Sequence, residues 1–172
     1  CTNYFLDPLA VRWCQSLASQ LTTFQTERQT HFYSRNVSGT RERVVVFISD
    51  AMRYEVGQQL FEQLAMDAKC SAKLTPAVST VPSYTQLGMA ALLPHVSLEL
   101  QPDGTVTILG RKTAGTAARE SVLQATEKNS GCIQFDQMQN MRRDELRSYF
   151  SGKTVVYVYH NQIDARGDAA RT

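Results

Sequence analysis

The chain has 172 residues, 42% hydrophobic and 20% charged, and its 18 Lys and Arg nearly balance 16 Asp and Glu. That length suits one globular domain with a real core, or a piece of a larger one. The net charge of +2 supplies neither a polybasic arm nor an acidic tail, and no run approaches the ~20 apolar residues that cross a bilayer. The opening Cys1-Thr2-Asn3-Tyr4 carries no basic-then-apolar leader and reads as an artificial boundary. Four scattered cysteines, Cys1, Cys14, Cys70 and Cys132, form no CxxC pair. A reducing, cytoplasmic setting without a disulfide framework or zinc ribbon is therefore expected.

Residues 1–35 read as helical. Asp7-Pro8 is a start signal, and Leu9, Trp13, Leu17 and Leu21 fall on one face. The polar stretch 36–43 reads as a linker, which divides a helical preface (1–40) from a main domain (41–172). Val44-Val45-Val46-Phe47-Ile48 has the uninterrupted β-branched and aromatic character of a strand buried on both faces. Tyr54 to Asp67 reads as an amphipathic helix with Val56, Leu60, Phe61 and Leu64 inward. A strand is expected over Ala72–Val78, weakened by Pro76, and a short helix over Thr85–Leu93, stopped by Pro94.

A hairpin of Val96–Leu100 and Thr105–Leu109 around Gln101-Pro102-Asp103-Gly104 follows. Next come a helix over Thr116–Glu127, a strand near Cys132–Phe135, a helix over Met141–Phe150, and a second buried-strand run, Thr154–Tyr159. Strands alternating with helices predict an α/β fold: a layered, mostly parallel sheet with flanking helices.

In open α/β sheets, functional groups gather beyond the carboxyl ends of strands. The first strong strand ends in Asp50, and the second runs into His160, Asp164 and Asp168. Three carboxylates and an imidazole suit Zn²⁺ or Mn²⁺. On a helix Asp164 and Asp168, four residues apart, share a face. The alternative makes Asp164 a helix cap and Asp168 a solvated acid. Thr85 falls where the short helix starts, beside free backbone N–H groups that can seat a phosphate. A hydroxyl next to a metal can attack phosphorus, and an ordinary Thr cap is the other reading.

Three ordered segments carry more weight than any one of them. Phe47-Ile48-Ser49-Asp50-Ala51-Met52-Arg53-Tyr54-Glu55, Pro82-Ser83-Tyr84-Thr85-Gln86-Leu87-Gly88-Met89 through Pro94, and Tyr157-Val158-Tyr159-His160 through Asp168 closely resemble the PglZ domain. That family belongs to the alkaline phosphatase superfamily and to BREX bacteriophage-defence systems, and the resemblance covers about residues 44–172. It implies a partial alkaline-phosphatase-like fold and a metal-dependent phosphatase or phosphodiesterase, with nucleotides or DNA (a nuclease activity) as candidate substrates.

In that scheme Thr85 is the nucleophile and a metal ligand, with Asp50 on one ion and Asp164 and Asp168 on the other. Two Zn²⁺ are implied, with Mn²⁺ or Mg²⁺ as alternatives, and attack by Thr85 gives a phospho-threonine that water resolves. Asp168 stands where the family pattern has His, and His160 is a candidate to supply the imidazole. Further Asp and His ligands of the superfamily would lie beyond Thr172, so the chain reads as a fragment with an incomplete site. Arg53 is a candidate for the substrate phosphate, against an ion pair with Glu55. Other BREX proteins are the implied partners, with no membrane. Two other classes stay open: a defence-complex scaffold with a structural or vestigial metal site, and a receiver-type module phosphorylated on Asp50. The second lacks the paired acids and the Lys that it would need.

Overall fold

In a computed structural model, which describes residues 2–20 and 26–169, the two β-branched runs pair with each other. Strand β1 (Val44–Ser49) lies parallel to β6 (Val155–His160), with Val44 opposite Val155 and Ser49 opposite His160. Strand β5 (Ser130–Gln134) runs parallel along the other side of β6, giving the order β1-β6-β5. A small antiparallel sheet holds β2 (Glu99–Leu100), β3 (Val106–Ile108) and β4 (Arg111–Lys112). The helices are α1 (Asp7–Gln20), α2 (Phe32–Asn36), α3 (Tyr54–Met66), α4 (Thr85–Ala91), α5 (Thr116–Thr126), α6 (Phe135–Gln139), α7 (Arg143–Phe150) and α8 (Gln162–Ala169). None is long and apolar enough to cross a membrane among the described residues.

The period of two along β6 divides the core. Val155, Tyr157 and Tyr159 face a large cluster built with Val46, Ile48, Leu87, Leu93, Val106, Ile108 and Leu123. Val156 and Val158 face the opposite way with Ile133, against Phe135, Met138, Met141, Tyr149 and Phe150 from the α6–α7 region. Tyr157 also donates its hydroxyl to the Leu92 carbonyl at 2.7 Å, which ties α4 to the sheet.

The structure corrects several expectations. The expected 1–35 helix is not continuous: α1 is described over Asp7–Gln20, residues 26–28 are not helical, and a 3₁₀ turn at Gln29–His31 leads into α2. Leu9 and Trp13 are exposed on α1, which buries no residue, and Leu21 lies outside the described residues. Tyr33 and Val37, on the preface side of the expected division, are core residues instead. No regular strand forms over 72–78, where Pro76 offers no N–H to a ladder. A single parallel bridge joins Val78 to Arg28, with Gln29 N–H on the Val78 carbonyl at 2.9 Å.

Helix α3 forms as expected, but Val56, Leu60 and Leu64 are exposed rather than inward. Helical spacing marks an apolar face without saying what covers it. The hairpin keeps its turn, where Asp103 accepts the Thr105 N–H at 2.9 Å and Gly104 takes φ 82°. Its strands are shorter than expected, and the chain turns again at Leu109-Gly110, both at positive φ, to add β4.

Candidate active site

The carboxyl ends of all three parallel strands open onto one region. A cleft of about 250 Å³ is lined by Asp50 after β1, Gln134 at the end of β5, and Tyr159, His160 and Asn161 around the end of β6. Thr85, Met89, Gly115 and Arg119 complete its wall. A second cleft, about 360 Å³, shares Asp50, Thr85 and Met89 and adds Gln29, Ser49, Ser79, Thr80, Ser83 and Tyr84. Asp50 and Thr85 therefore stand where the two clefts meet.

Each of these positions has a local cause. Asp50 N–H donates to the His160 carbonyl at 3.0 Å, which carries the β1–β6 pairing one residue past the strand. Ala51 then takes φ 58°, and its N–H bonds Asp50 Oδ1 at 3.0 Å, so the carboxylate is fixed at a sharp turn. Thr85 is the first residue of α4, and the preceding Tyr84 is the cap position, with no side-chain cap bond. The Tyr84 hydroxyl instead donates to the Gly104 carbonyl at 2.6 Å, pinning this corner to the hairpin. The Thr85 hydroxyl makes no hydrogen bond among the described residues, so the ordinary-cap reading fails and the oxygen is exposed at the cleft.

Electrostatics distinguish Asp50 further. Its pKa is raised, first by burial and then by the charge of Asp164, while the Ala51 N–H and Arg119 pull it down. Asp164 lies in the first turn of α8, two residues inside its start at Gln162, and is half-buried. His160 Nδ1 and Ser49 Oγ share a hydrogen bond of 2.8 Å, and the Phe135 ring meets the imidazole edge-on at 5.0 Å. Which of the two partners donates depends on the tautomer, and the other ring nitrogen remains for a ligand.

The remaining expected residues are less convergent. Arg53 is exposed at the cap of α3 and lines neither cleft. The backbone of Asp168 belongs to α8, but its side chain lies outside the described residues. Among the described residues no group of three or more His, Cys, Asp or Glu gathers closely enough to hold an ion. What does fit a divalent cation is narrower. The charge of Asp164 disfavours that of the Asp50 carboxylate, and the unbonded Thr85 hydroxyl shares a cleft with Asp50. Oxygen donors of this kind suit a hard cation, which relieves such repulsion.

Two contributors were not expected from the sequence. Gln29 braces the wall, donating Nε2 to the Gly88 carbonyl at 3.0 Å and accepting the Thr80 N–H on Oε1 at 3.3 Å. No local pattern marks such a residue. Arg119 is buried on α5 in one stripe with Val122 and Leu123. The spacing i, i+3, i+4 was visible, and a cation inside an apolar stripe is a signal in itself.

Residues 32–172 match the family described as the BREX system PglZ alkaline phosphatase-like domain. The chain is 38% identical over 99% of its length to "Alkaline phosphatase-like protein PglZ" of Bacillus cereus (strain H3081.97), and covers 21% of that protein. It is 34% identical, again over 99% of its length, to "Alkaline phosphatase-like protein BrxZ" of Escherichia coli O9:H4 (strain HS), covering 21% of it. No solved structure matches it significantly. The chain thus spans about a fifth of the length of the curated relatives it matches. A match over most of its residues, on a chain whose core is a parallel three-stranded sheet flanked by helices, identifies it as a member of the PglZ family of BREX systems.

Proposed function

We propose that this region contributes the nucleophile half of a phosphoryl-ester hydrolase site, a phosphatase or phosphodiesterase serving BREX-type phage defence, with nucleotides or DNA as substrates. The observation that supports it best is the unbonded Thr85 hydroxyl sharing a cleft with Asp50 at the carboxyl ends of three parallel strands. The Thr85 oxygen attacks phosphorus in line with the leaving alkoxide, its proton passing to solvent water as the new P–O bond forms and the expelled alkoxide taking a proton from water. The ester P–O bond breaks, and water then displaces Thr85 from the phospho-threonine. Asp50, Thr85 and Asp164, with Asp168 and His160 as further candidates, are the residues that would hold divalent metal, Zn²⁺ first and Mn²⁺ or Mg²⁺ after it. Such an ion supplies Lewis acidity that lowers the hydroxyl pKa and offsets developing charge.

The test uses the full-length protein with a chromogenic phosphodiester and added Zn²⁺ or Mn²⁺. Thr85→Ala should cost about 10³-fold or more in kcat, while Thr85→Ser retains turnover. Turnover that survives Thr85→Ala would overturn the reading. A second reading, a scaffold within a complex of BREX proteins, draws on the exposed apolar residues of β1 and α3, among them Phe47, Val56 and Leu60. It is favoured if assembly with those proteins survives Thr85→Ala and no phosphoester is turned over.

A further inference from the structure

We propose that Arg119 forms an anion subsite opposite Thr85 and binds the non-bridging oxygens of the phosphoryl group under attack. The inference rests on the reading of Thr85 as the attacking group and adds the contact that holds its target. Arg119 is only 9% exposed. It stands one turn into α5, which begins after Gly115 at φ 81°. Its Nε donates to the Thr113 carbonyl at 3.0 Å, and Thr113 is itself buried, with its hydroxyl on the Val106 carbonyl at 2.9 Å. The guanidinium carbon lies 4.8 Å from the centre of the Tyr159 ring. Backbone anchor and aromatic floor together fix the plane of the group.

The terminal nitrogens are a different matter. Among the described residues they make neither a hydrogen bond nor an ion pair, and the residue lines the cleft that holds Thr85 and Asp50. A guanidinium has five N–H donors, and one is used. The terminal nitrogens are not among the buried unpaired polar atoms, so they stay open to solvent or to a ligand in the cleft. Arg is rarely this buried unless paired. Its planar fork matches two oxygens of a phosphoryl group. Helix α4 has seven residues and so contributes little field of its own at Thr85. Arg119 is the side-chain cation that lines this cleft beside Thr85 and Asp50.

Full-length protein is the material for the test, with inorganic phosphate as ligand and the chromogenic phosphodiester as substrate. Calorimetry measures phosphate affinity, and kinetics measure kcat/KM, for wild type, Arg119→Gln, Arg119→Lys and Thr85→Ala. Arg119→Gln should weaken phosphate binding on the order of 10- to 100-fold and lower kcat/KM about 100-fold. Arg119→Lys should restore part of the affinity, since it keeps the charge and loses the fork. Should Arg119→Gln fail to fold, Arg119→Lys decides, with an unchanged thermal midpoint and weakened phosphate binding as the expected result. Wild-type affinity and kcat/KM in both Arg119 variants, with Thr85→Ala inactive, overturns the subsite and leaves the hydrolase reading standing. Lost phosphate binding in Arg119→Gln alongside turnover indifferent to Thr85→Ala supports the subsite and overturns Thr85. A wild-type protein that binds no phosphate overturns the subsite.

Discussion

Strands β1 and β6 are nearly interchangeable as sequences, VVVFIS against VVYVYH, and they lie side by side in register. Their surroundings are unlike. Val156, Tyr157 and Val158 of β6 are wholly buried, because one face packs on the main core and the other on the α6–α7 region. On β1, Val46 and Ile48 join the main core, whereas Val45 and Phe47 are bare, Phe47 being 59% exposed. Among the described residues β1 also has no strand on its outer side. A run of β-branched residues therefore announces a strand, and the neighbours alone decide how many of its faces are covered.

The largest effect should come from the central strand. Tyr157→Ala removes a buried ring and orphans the Leu92 carbonyl, at a cost of about 3–5 kcal/mol in denaturant unfolding. A loss below about 1 kcal/mol would break the contrast at its stronger end. Adjacent residues of β1 should then divide sharply. Ile48→Ala should cost about 2–5 kcal/mol, and Phe47→Ala less than about 1 kcal/mol in this chain. Repeating the pair in the longer protein sharpens the comparison, because a cost near that of Ile48 would mean that further chain covers the bare face.

A smaller effect tests whether residues 28–37 belong to the core. The Tyr33 hydroxyl donates to Glu127 Oε1 at 2.8 Å, and its own pKa is raised by burial and then by that glutamate. Tyr33→Phe should cost about 0.5–1.5 kcal/mol at neutral pH, and no change would detach this segment from α5.

Smallest of all is the effect at the end of β1. Asp50 holds its proton to higher pH in the folded chain than in the unfolded one, through burial first and Asp164 second. The folded state then binds more protons between the two pKa values, so stability falls as pH rises through that window, and the penalty remains at neutral pH. Asp50→Asn should stabilise the metal-free protein slightly at pH 7, by at most about 0.5 kcal/mol because solvent screens so open a site. The gain should vanish in acid below the unfolded carboxylate's pKa. Added Zn²⁺ or Mn²⁺ should raise the melting midpoint of the wild type more than that of the variant.

Much of this architecture was legible because it depends on local pattern. Both long strands, α3, α4, α5 and α7 fall within a residue or two of their expected spans, since uninterrupted β-branched runs and helical spacing are strong signals over six or more residues. Helix α6 and strand β4 were missed, being five and two residues long, too short to display a period. The inward face assigned to α3 failed for the reason β1 teaches, that amphipathicity names a face and not its cover. The positions of Asp50 just after a strand and Thr85 at a helix start were legible, and the structure puts both on one cleft. Arg119 was not singled out from the sequence, although its spacing to Val122 and Leu123 puts it in the buried stripe of α5. Gln29 reaches the cleft only through tertiary bonds to Thr80 and Gly88, which no local pattern encodes.

The pairing of Ser49 with His160 has a consequence for synthesis. These partners lie 111 residues apart, and a ribosome adding about 5–20 residues per second needs roughly 6–22 s to cover that distance. Throughout that delay VVVFI is a short, uncharged, strongly β-forming segment without its native neighbour, the composition that zips into aggregates when left open. The nascent chain thus carries an open, aggregation-prone strand until β6 emerges.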